Sequence, residues 1–599
     1  MGVPGLYRTL FQRYKGTYRW VVPGNDTVVN YLYLDFNPII YICFNNLCKS
    51  GRVTGETTLA ETEKLLILEV IKETSNIINI LVKPTKMTYI AIDGPAPKCK
   101  LVLQRNRRYK GMYEDSVIAK IQAKYSNAQV SPKWSTSNIT PGSPFMNNLN
   151  IALRLAINQG IFSRHPHENR YSVIFSDSNF PGEGEHKITH DIEKRNCLPH
   201  ETICIYSNDG DMIMLGCRFP NQHILIITNP SSLPKSVIGE HDLKNEYIYF
   251  DHTEFRKALF NDLGEEFMEG RDQGRVLKDI MAVCFLAGND FVQPITFMKM
   301  RYSYAFSTLL EIYVRVQNNS RCIEYFVTIG NTGYNLNRNI LVGVMLELSK
   351  QENFRMRDYQ NNIVNSLKQS REQWGPFENW EEEWSQYQHT YYFNPSHPES
   401  DQCKDDFLHF GYSDMCHKHE WKMQYYSYFF NLNSGDIDNR EYNKFRTSVC
   451  VKYLKSLIFT LRYYLNSQPP SWRWNYPYNV SPWPSDILVV LNKIGDIGDF
   501  PSNGVHDIYT PLEQLLLTVP KQETNGMFPK EYQSVIRMLP TVDTIQLEYV
   551  SGEKYIYSEP RLPTFNENMI LKETKKIKLT GEAELRNRLN FRLYSKTFQ

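Results

Sequence analysis

Several features are missing from this 599-residue chain, and each absence narrows the reading. No apolar run approaches the roughly 18 residues that suggest a membrane-spanning helix, so no membrane partner is expected. No CxxC pair occurs, and the 11 cysteines are scattered and odd in number. That pattern speaks for buried reduced thiols in a reducing compartment rather than a disulfide framework. The opening MGVPGLYRTL has no basic segment followed by an apolar one, so it does not read as a secretion signal. Gly2 is followed by Leu6 where a myristoylation signal has Ser or Thr. Charge of one sign is also lacking: 67 Lys and Arg against 65 Asp and Glu leave a formal net charge of +2. A polyanion partner must therefore be met by a local basic patch, not by a global field. There is no internal repeat.

What is present is a large, aromatic-rich globular chain: 41% hydrophobic, 22% charged and 13% aromatic, with 39 Tyr. Single cores stop growing near about 250–300 residues, so several units are expected, roughly 3–4 by length. Aromatics in this abundance fill cores and can also stack bases. In the first third, YLYLDF (31–36), MTYIAID (87–93), YSVIFSDS (171–178), TICIYSND (202–209) and HILIIT (223–228) read as buried strands. Amphipathic segments near 57–82, 97–124 and 184–194 lie between them. Strand–helix alternation predicts an α/β fold, a mostly parallel sheet with helices on both faces. From about 230 to 350 the pattern turns helical, as in VLKDIMAVCFLA (276–287). Residues 370–407 carry Trp374, Trp380 and Trp384 among Glu378, Glu381, Glu382 and Glu383, then NPSHPESDQ, and read as an insertion or connector. A second globular, mainly helical region follows to about 560, and the mixed-charge stretch 571–599 reads as a terminal helix.

Acids cluster where the predicted strands end. Asp35 closes YLYLD, Asp93 closes YIAID, VIFSDS leads to Glu183-Gly184-Glu185, and TICIYSN leads to Asp209-Gly210-Asp211. Asp290, in LAGNDF, follows the predicted helix 276–287. Ligand sites of open α/β sheets lie beyond the carboxyl ends of the strands, so these distant residues should converge. Each of these acids taken alone is an ordinary turn former or helix cap; the ordered set of seven is not. Crowded carboxylates resist ionisation, and hard divalent cations relieve the repulsion. An all-oxygen set selects Mg²⁺ or Mn²⁺ over Zn²⁺, and paired ions are a known device for phosphodiester cleavage.

A basic stripe begins at Lys100, seven residues after Asp93. KCKLVLQRNRRYK (98–110) has six cations and no acid, and Lys100, Gln104, Arg107 and Arg108 share one helical face. Such a stripe is often merely solvated. Beside a metal site it can grip a terminal phosphate by charge-assisted, bidentate bonds. Cys403, Cys416, His417 and His419 offer zinc-ligand residue types, but their spacing has no ligand logic.

In their order these motifs resemble the Xrn-type 5′→3′ exoribonucleases. The matching segments are MGVPGLYRTL, YLYLDFNPII, AIDGPAPKCKLVLQRNRR, ITPGSPFM (139–146), FPGEGEHKI (180–188), NDGDMIMLG (208–216), LAGNDF (286–291), PSWRWNYPY (470–478) and PLEQLLLTVP (511–520). The resemblance implies a PIN/flap-nuclease-like sheet core. It divides the chain into a nuclease region 1–345, a connector 346–409, a second region 410–560 and a tail 561–599. Two Mg²⁺, with Mn²⁺ as substitute, would be held by Asp35, Asp93, Glu183, Glu185, Asp209, Asp211 and Asp290. Lys100, Gln104, Arg107 and Arg108 would form the 5′-phosphate pocket, and Trp474, with Trp472 second, would stack on a base. Tyr41 stands where the family usually has a stacking His, and Val292-Gln293-Pro294 replaces the usual Leu-Pro-His after GNDF. The long C-terminal extension of cytoplasmic cellular members is not seen, which suits a compact, viral or divergent member. The implied activity is processive 5′→3′ hydrolysis of single-stranded RNA bearing a 5′-monophosphate. It releases nucleoside 5′-monophosphates in cytoplasmic mRNA decay, by a monomer acting after a decapping enzyme. A flap-type endonuclease shares the acids, but would carry a Gly-rich helix-hairpin-helix after the GxD segment, where this chain has VQPITFMKMRYSYAF. A non-catalytic RNA-binding scaffold would have lost metal acids, and all seven are here.

Overall fold

The structure is a computed structural model, and it describes residues 5–21, 27–125, 134–163, 170–195, 197–230, 247–302, 304–319, 322–372, 375–389, 421–430, 439–495, 497, 499–500, 504–542, 545–548 and 555–598. Trp374 and the quartet Cys403, Cys416, His417 and His419 lie outside the described residues.

All five expected strands form: β2 (Tyr31–Asp35), β3 (Met87–Ala91), β4 (Tyr171–Ser176), β5 (Thr202–Tyr206) and β6 (His223–Thr228). Their residues are apolar at almost every position because helices cover both faces of the sheet; β3 and β5 are buried throughout. The strands pair in parallel in the order β6-β5-β2-β3-β4. Their carboxyl ends therefore open on one edge.

Three further strands complete an eight-stranded sheet, all antiparallel to their neighbours. β7 (Ile248–Asp251) pairs with β6 and β1 (Tyr18–Trp20) with β7. On the other edge β12 (Tyr594–Phe598) pairs with β4, Phe598 opposite Tyr171. The terminal helix expected over 571–599 is corrected accordingly: Glu567–Thr574 and Gly581–Asn587 are short helices, and the chain then enters the sheet. Pairing with β4 supplies the partner that YSKTF lacks locally. The small hairpin β8 (Val327–Gly330) and β9 (Gly333–Leu336) and the pair β10 (Gln546–Glu548) and β11 (Glu559–Arg561) lie outside this sheet.

The helix Arg338–Glu372 runs through the expected boundary at 345. One hydrophobic core explains why no break falls there. It joins Tyr33, Ala91 and Ile205 of the sheet to Leu277, Ile280 and Phe285, and to Tyr453, Leu457, Tyr463 and Trp483 of the second region. A second core, under the other sheet face, contains Leu32, Leu34, Ile90, Phe145 and Cys204. The nine described cysteines are free thiols, seven of them buried. No described helix is long and apolar enough to cross a membrane.

Candidate active site

The parallel order determines where the acids go. Asp35 is the last residue of β2, Asp93 follows β3, Glu183 follows β4, and Asp209 follows β5, so four neighbouring strands deliver carboxylates to one edge. The loops after β3 and β4 are tied by backbone bonds, Gly94 N–H to Gly182 O at 2.9 Å and Gly182 N–H to Pro95 O at 2.8 Å. Gly184 opens the helix Gly184–Arg195 and donates its N–H to Asp93 Oδ1 at 2.7 Å. A Cβ at Gly184 would stand 2.9 Å from Asp35 Oδ1 and 3.0 Å from Ala91 O. Only glycine lets the helix come this close.

Supporting donors fix the carboxylates. Asn37 Nδ2 donates to Asp93 Oδ2 at 2.8 Å. Ser207 Oγ donates to Asp35 Oδ2 at 2.9 Å and accepts from Asp209 N–H at 3.1 Å. Tyr463 Oη donates to Glu183 Oε1 at 2.9 Å. None of these was singled out in the sequence. Asn37 and Ser207 carry a local signal, lying within two residues of site acids, whereas Tyr463 is 280 positions from its partner.

The basic helix, Lys98–Gln122, meets this edge. Lys100 Nζ stands 2.5 Å from Glu183 Oε2 and 2.8 Å from Asp290 Oδ2, and Arg107 reaches Asp290 Oδ1 at 3.0 Å. The face then turns toward the helix Pro511–Thr518: Gln104 Oε1 accepts from Gln514 Nε2 at 3.3 Å, and Arg108 donates to Thr518 Oγ1. Tyr41 is 40% exposed, on the helix Asn37–Lys49, within electrostatic reach of Arg108, Arg107 and Asp93. Trp472 is buried, its carbonyl accepting from Lys98 N–H at 2.9 Å. Trp474 is half-buried, stacked on Phe459 at 5.3 Å with Phe500 edge-on at 5.4 Å.

Electrostatically the site divides in two. Burial together with Asp93 and Asp209 pushes Asp35 up to about 7. Burial and Asp211 raise Glu185 well above the usual carboxylate range, and burial with Asp209 and Asp290 does the same to Asp211. Burial also opposes ionisation of Asp290, but Arg107 and Lys100 outweigh it and hold that carboxyl below the ordinary range. Oxygens of Glu185, Asp209 and Asp211 lie within 4.8 Å of one another. Glu185 Oε1 is buried and accepts no hydrogen bond from the protein, and the buried Asp211 carboxylate faces the Tyr464 hydroxyl. Buried acceptors are otherwise almost always satisfied, so this group fits a hard divalent cation bound through oxygen.

Two family models match the chain. XRN 5′-3′ exonuclease N-terminus matches residues 1–230, and Xrn1 helical domain matches residues 401–594. The 5′-3′ exoribonuclease 2 of Gallus gallus is 24% identical, aligned over 98% of this chain and 71% of its own length. That of Eremothecium gossypii is 27% identical over 50% of this chain, and the 5′-3′ exoribonuclease 1 of Saccharomyces cerevisiae 26% over 52%. The matched parts of those two fungal proteins are only 36% and 20% of their lengths. Among solved structures, the catalytic core of Rad2 in complex with DNA substrate aligns at 12% identity and a TM-score of 0.25, over 77% of this chain and 100% of that one, a likeness too faint to bear on function. The first family model spans six of the seven site acids and the whole basic stripe, the second spans Tyr463 and the helix Pro511–Thr518 that receives this stripe, and the chain belongs to the Xrn family of 5′→3′ exonucleases.

Proposed function

We propose that this protein is a magnesium-dependent, processive 5′→3′ exoribonuclease. Its substrate is single-stranded RNA with a 5′-monophosphate, and it releases nucleoside 5′-monophosphates. The observation that carries the reading is Lys100, which touches both Glu183 and Asp290 from the same helical face that presents Gln104, Arg107 and Arg108. A stripe that could hold a terminal phosphate is thereby joined to carboxylates that could hold cations, so the scissile bond lies a fixed distance from the 5′ end.

In this reading Asp35, Asp93, Glu183, Glu185, Asp209, Asp211 and Asp290 hold two Mg²⁺, with Mn²⁺ as substitute. When bound, such ions supply the positive charge that an in-line phosphodiester displacement requires. Lys100, Gln104, Arg107 and Arg108 hold the 5′-phosphate by charge-assisted bonds. Tyr41 offers a partly exposed ring to the first base, and Trp474, with Trp472 behind it, supports stacking further along the strand, worth about 1–3 kcal/mol per base. The expected setting is cytoplasmic mRNA decay by a monomer, after a decapping enzyme has exposed the 5′-monophosphate.

A time course on 3′-labelled single-stranded RNA tests this, with 5′-monophosphate, 5′-hydroxyl and 5′-triphosphate ends compared in magnesium and in EDTA. Rapid, metal-dependent loss of the monophosphate RNA alone, without long 3′ fragments, is expected. Identical internal fragments from all three ends would make the protein an endonuclease. Asp209→Ala and Asp211→Ala should each abolish cleavage while the fold persists, and robust magnesium-dependent cleavage by both would overturn the site.

A further inference from the structure

Two neighbouring tyrosines of the second region face the carboxylate site, Tyr463 toward Glu183 and Tyr464 toward Asp211. The helix Asn439–Asn466 approaches the site with its last turn, where Tyr463 is fully buried. Its hydroxyl donates to Glu183 Oε1 at 2.9 Å. Its ring lies flat on His186, with centroids 3.7 Å apart and planes 14° from parallel, and it meets Phe291 edge-on at 5.3 Å. His186 follows Glu185, and Phe291 follows Asp290. One phenol therefore bonds one site carboxylate and packs on the neighbours of two others.

The other oxygen of Glu183 lies 2.5 Å from Lys100 Nζ. Glu183 is gripped from opposite sides, by an ammonium of the nuclease region and a hydroxyl of the second region, and turning its carboxylate would break one contact or the other. His186 shows how far the arrangement depends on the ring. Both imidazole nitrogens are buried without a hydrogen-bond partner, so the ring is held by packing, flat on Tyr463 and edge-on to Tyr464 at 5.8 Å.

We propose that Tyr463 is a positioning residue that aims the Glu183 carboxylate at the cation site, so that the cation affinity of the nuclease region depends on the second region. The inference rests on the cation-dependent function proposed above. Groups that hydrogen-bond a metal-binding carboxylate typically contribute on the order of 10–100-fold in metal affinity. The ring and the hydroxyl can be separated, because Tyr463→Phe keeps the stack on His186 and removes only the donor.

The experiment is a titration of the full chain with Mn²⁺, read by the electron paramagnetic resonance signal of the free ion. It is run on the wild type, Tyr463→Phe, Glu183→Gln and the double variant. Tyr463→Phe should bind Mn²⁺ on the order of 10-fold more weakly, and its cleavage rate should climb back toward the wild-type rate as Mn²⁺ is raised. In the Glu183→Gln background the same change should have no further effect, because the carboxylate it orients is gone. Wild-type affinity in Tyr463→Phe would overturn the inference. So would an activity loss that Mn²⁺ does not repair, or an equal affinity loss in both backgrounds. Absence of Mn²⁺ binding by the wild type would instead overturn the proposed function itself.

Discussion

Lys100 Nζ lies 2.8 Å from Asp290 and 2.5 Å from Glu183, with its side chain 12% exposed and theirs 4% and 3%. One ammonium thus neutralises acids from two segments more than 100 positions apart. Removing one partner of a buried ion pair leaves an uncompensated charge, at a typical cost of about 3–5 kcal/mol. Lys100→Ala should lower the unfolding midpoint sharply in EDTA. Part of that loss should return in millimolar Mg²⁺, because a cation bound to the native state stabilises it by mass action. Thermal unfolding with and without Mg²⁺ checks this; a midpoint unmoved in EDTA would show that Lys100 does not carry the charge balance.

Arg107 and Arg108 differ in their partners although they are neighbours. Arg107 reaches Asp290 at 3.0 Å, whereas Arg108 turns to Thr518. If both contribute to a 5′-phosphate pocket, Arg107→Ala with Arg108→Ala should collapse the preference for 5′-monophosphate over 5′-hydroxyl RNA by at least about 10-fold, roughly 1.4 kcal/mol of differential binding. Competition between the two substrates in one reaction measures the ratio directly. An unchanged ratio would assign the stripe a structural role.

Gly184 makes the site sensitive to a single methyl group. A Cβ there meets the Asp35 carboxylate at 2.9 Å, which Ser207 holds by its other oxygen, and the backbone carbonyl of Ala91 at 3.0 Å. Gly184→Ala must shift the start of the helix that bears Glu185, and with it the 2.7 Å bond to Asp93. Misplacement by about 1 Å can cost on the order of 100-fold in rate. Cleavage should fall by about that factor while circular dichroism stays unchanged, and wild-type rates would show that the loop tolerates the shift.

These residues also mark what the sequence could and could not disclose. The five parallel strands were legible because burial on both faces writes continuous apolar runs, and six of the seven acids because each closes or follows such a run, Asp290 following a helix instead. The short edge strands β1 and β12 have partners far away in the chain, and YSKTF reads as mixed polarity until β4 is beside it. Tyr463 lay hidden in an aromatic helix, where Tyr453 and Tyr464 are equally buried; nothing local distinguishes the tyrosine that bonds Glu183. The basic stripe was legible as a face, but its division between Asp290 and the helix Pro511–Thr518 depends on a contact of high sequence separation.

Away from the site, Asp279 supplies a pH test of the core. It is fully buried and accepts hydrogen bonds from the N–H groups of Phe326 and Val327 and from Tyr313 Oη, each at 2.7 Å. Burial nevertheless outweighs these donors and raises its carboxyl from 3.8 to about 6. A raised acid binds its proton more tightly in the folded state. Its stabilising contribution is therefore full below the unfolded value near 4 and is lost as pH rises through 6. Asp279→Asn cannot titrate, and it turns a donor toward donors, so it should be less stable than the wild type. One pKa unit is worth about 1.4 kcal/mol, so that deficit should be larger at pH 5 than at pH 7 by about 1 kcal/mol. Urea unfolding of both proteins at the two pH values measures the difference, and a deficit independent of pH would show that the Asp279 carboxyl is not raised.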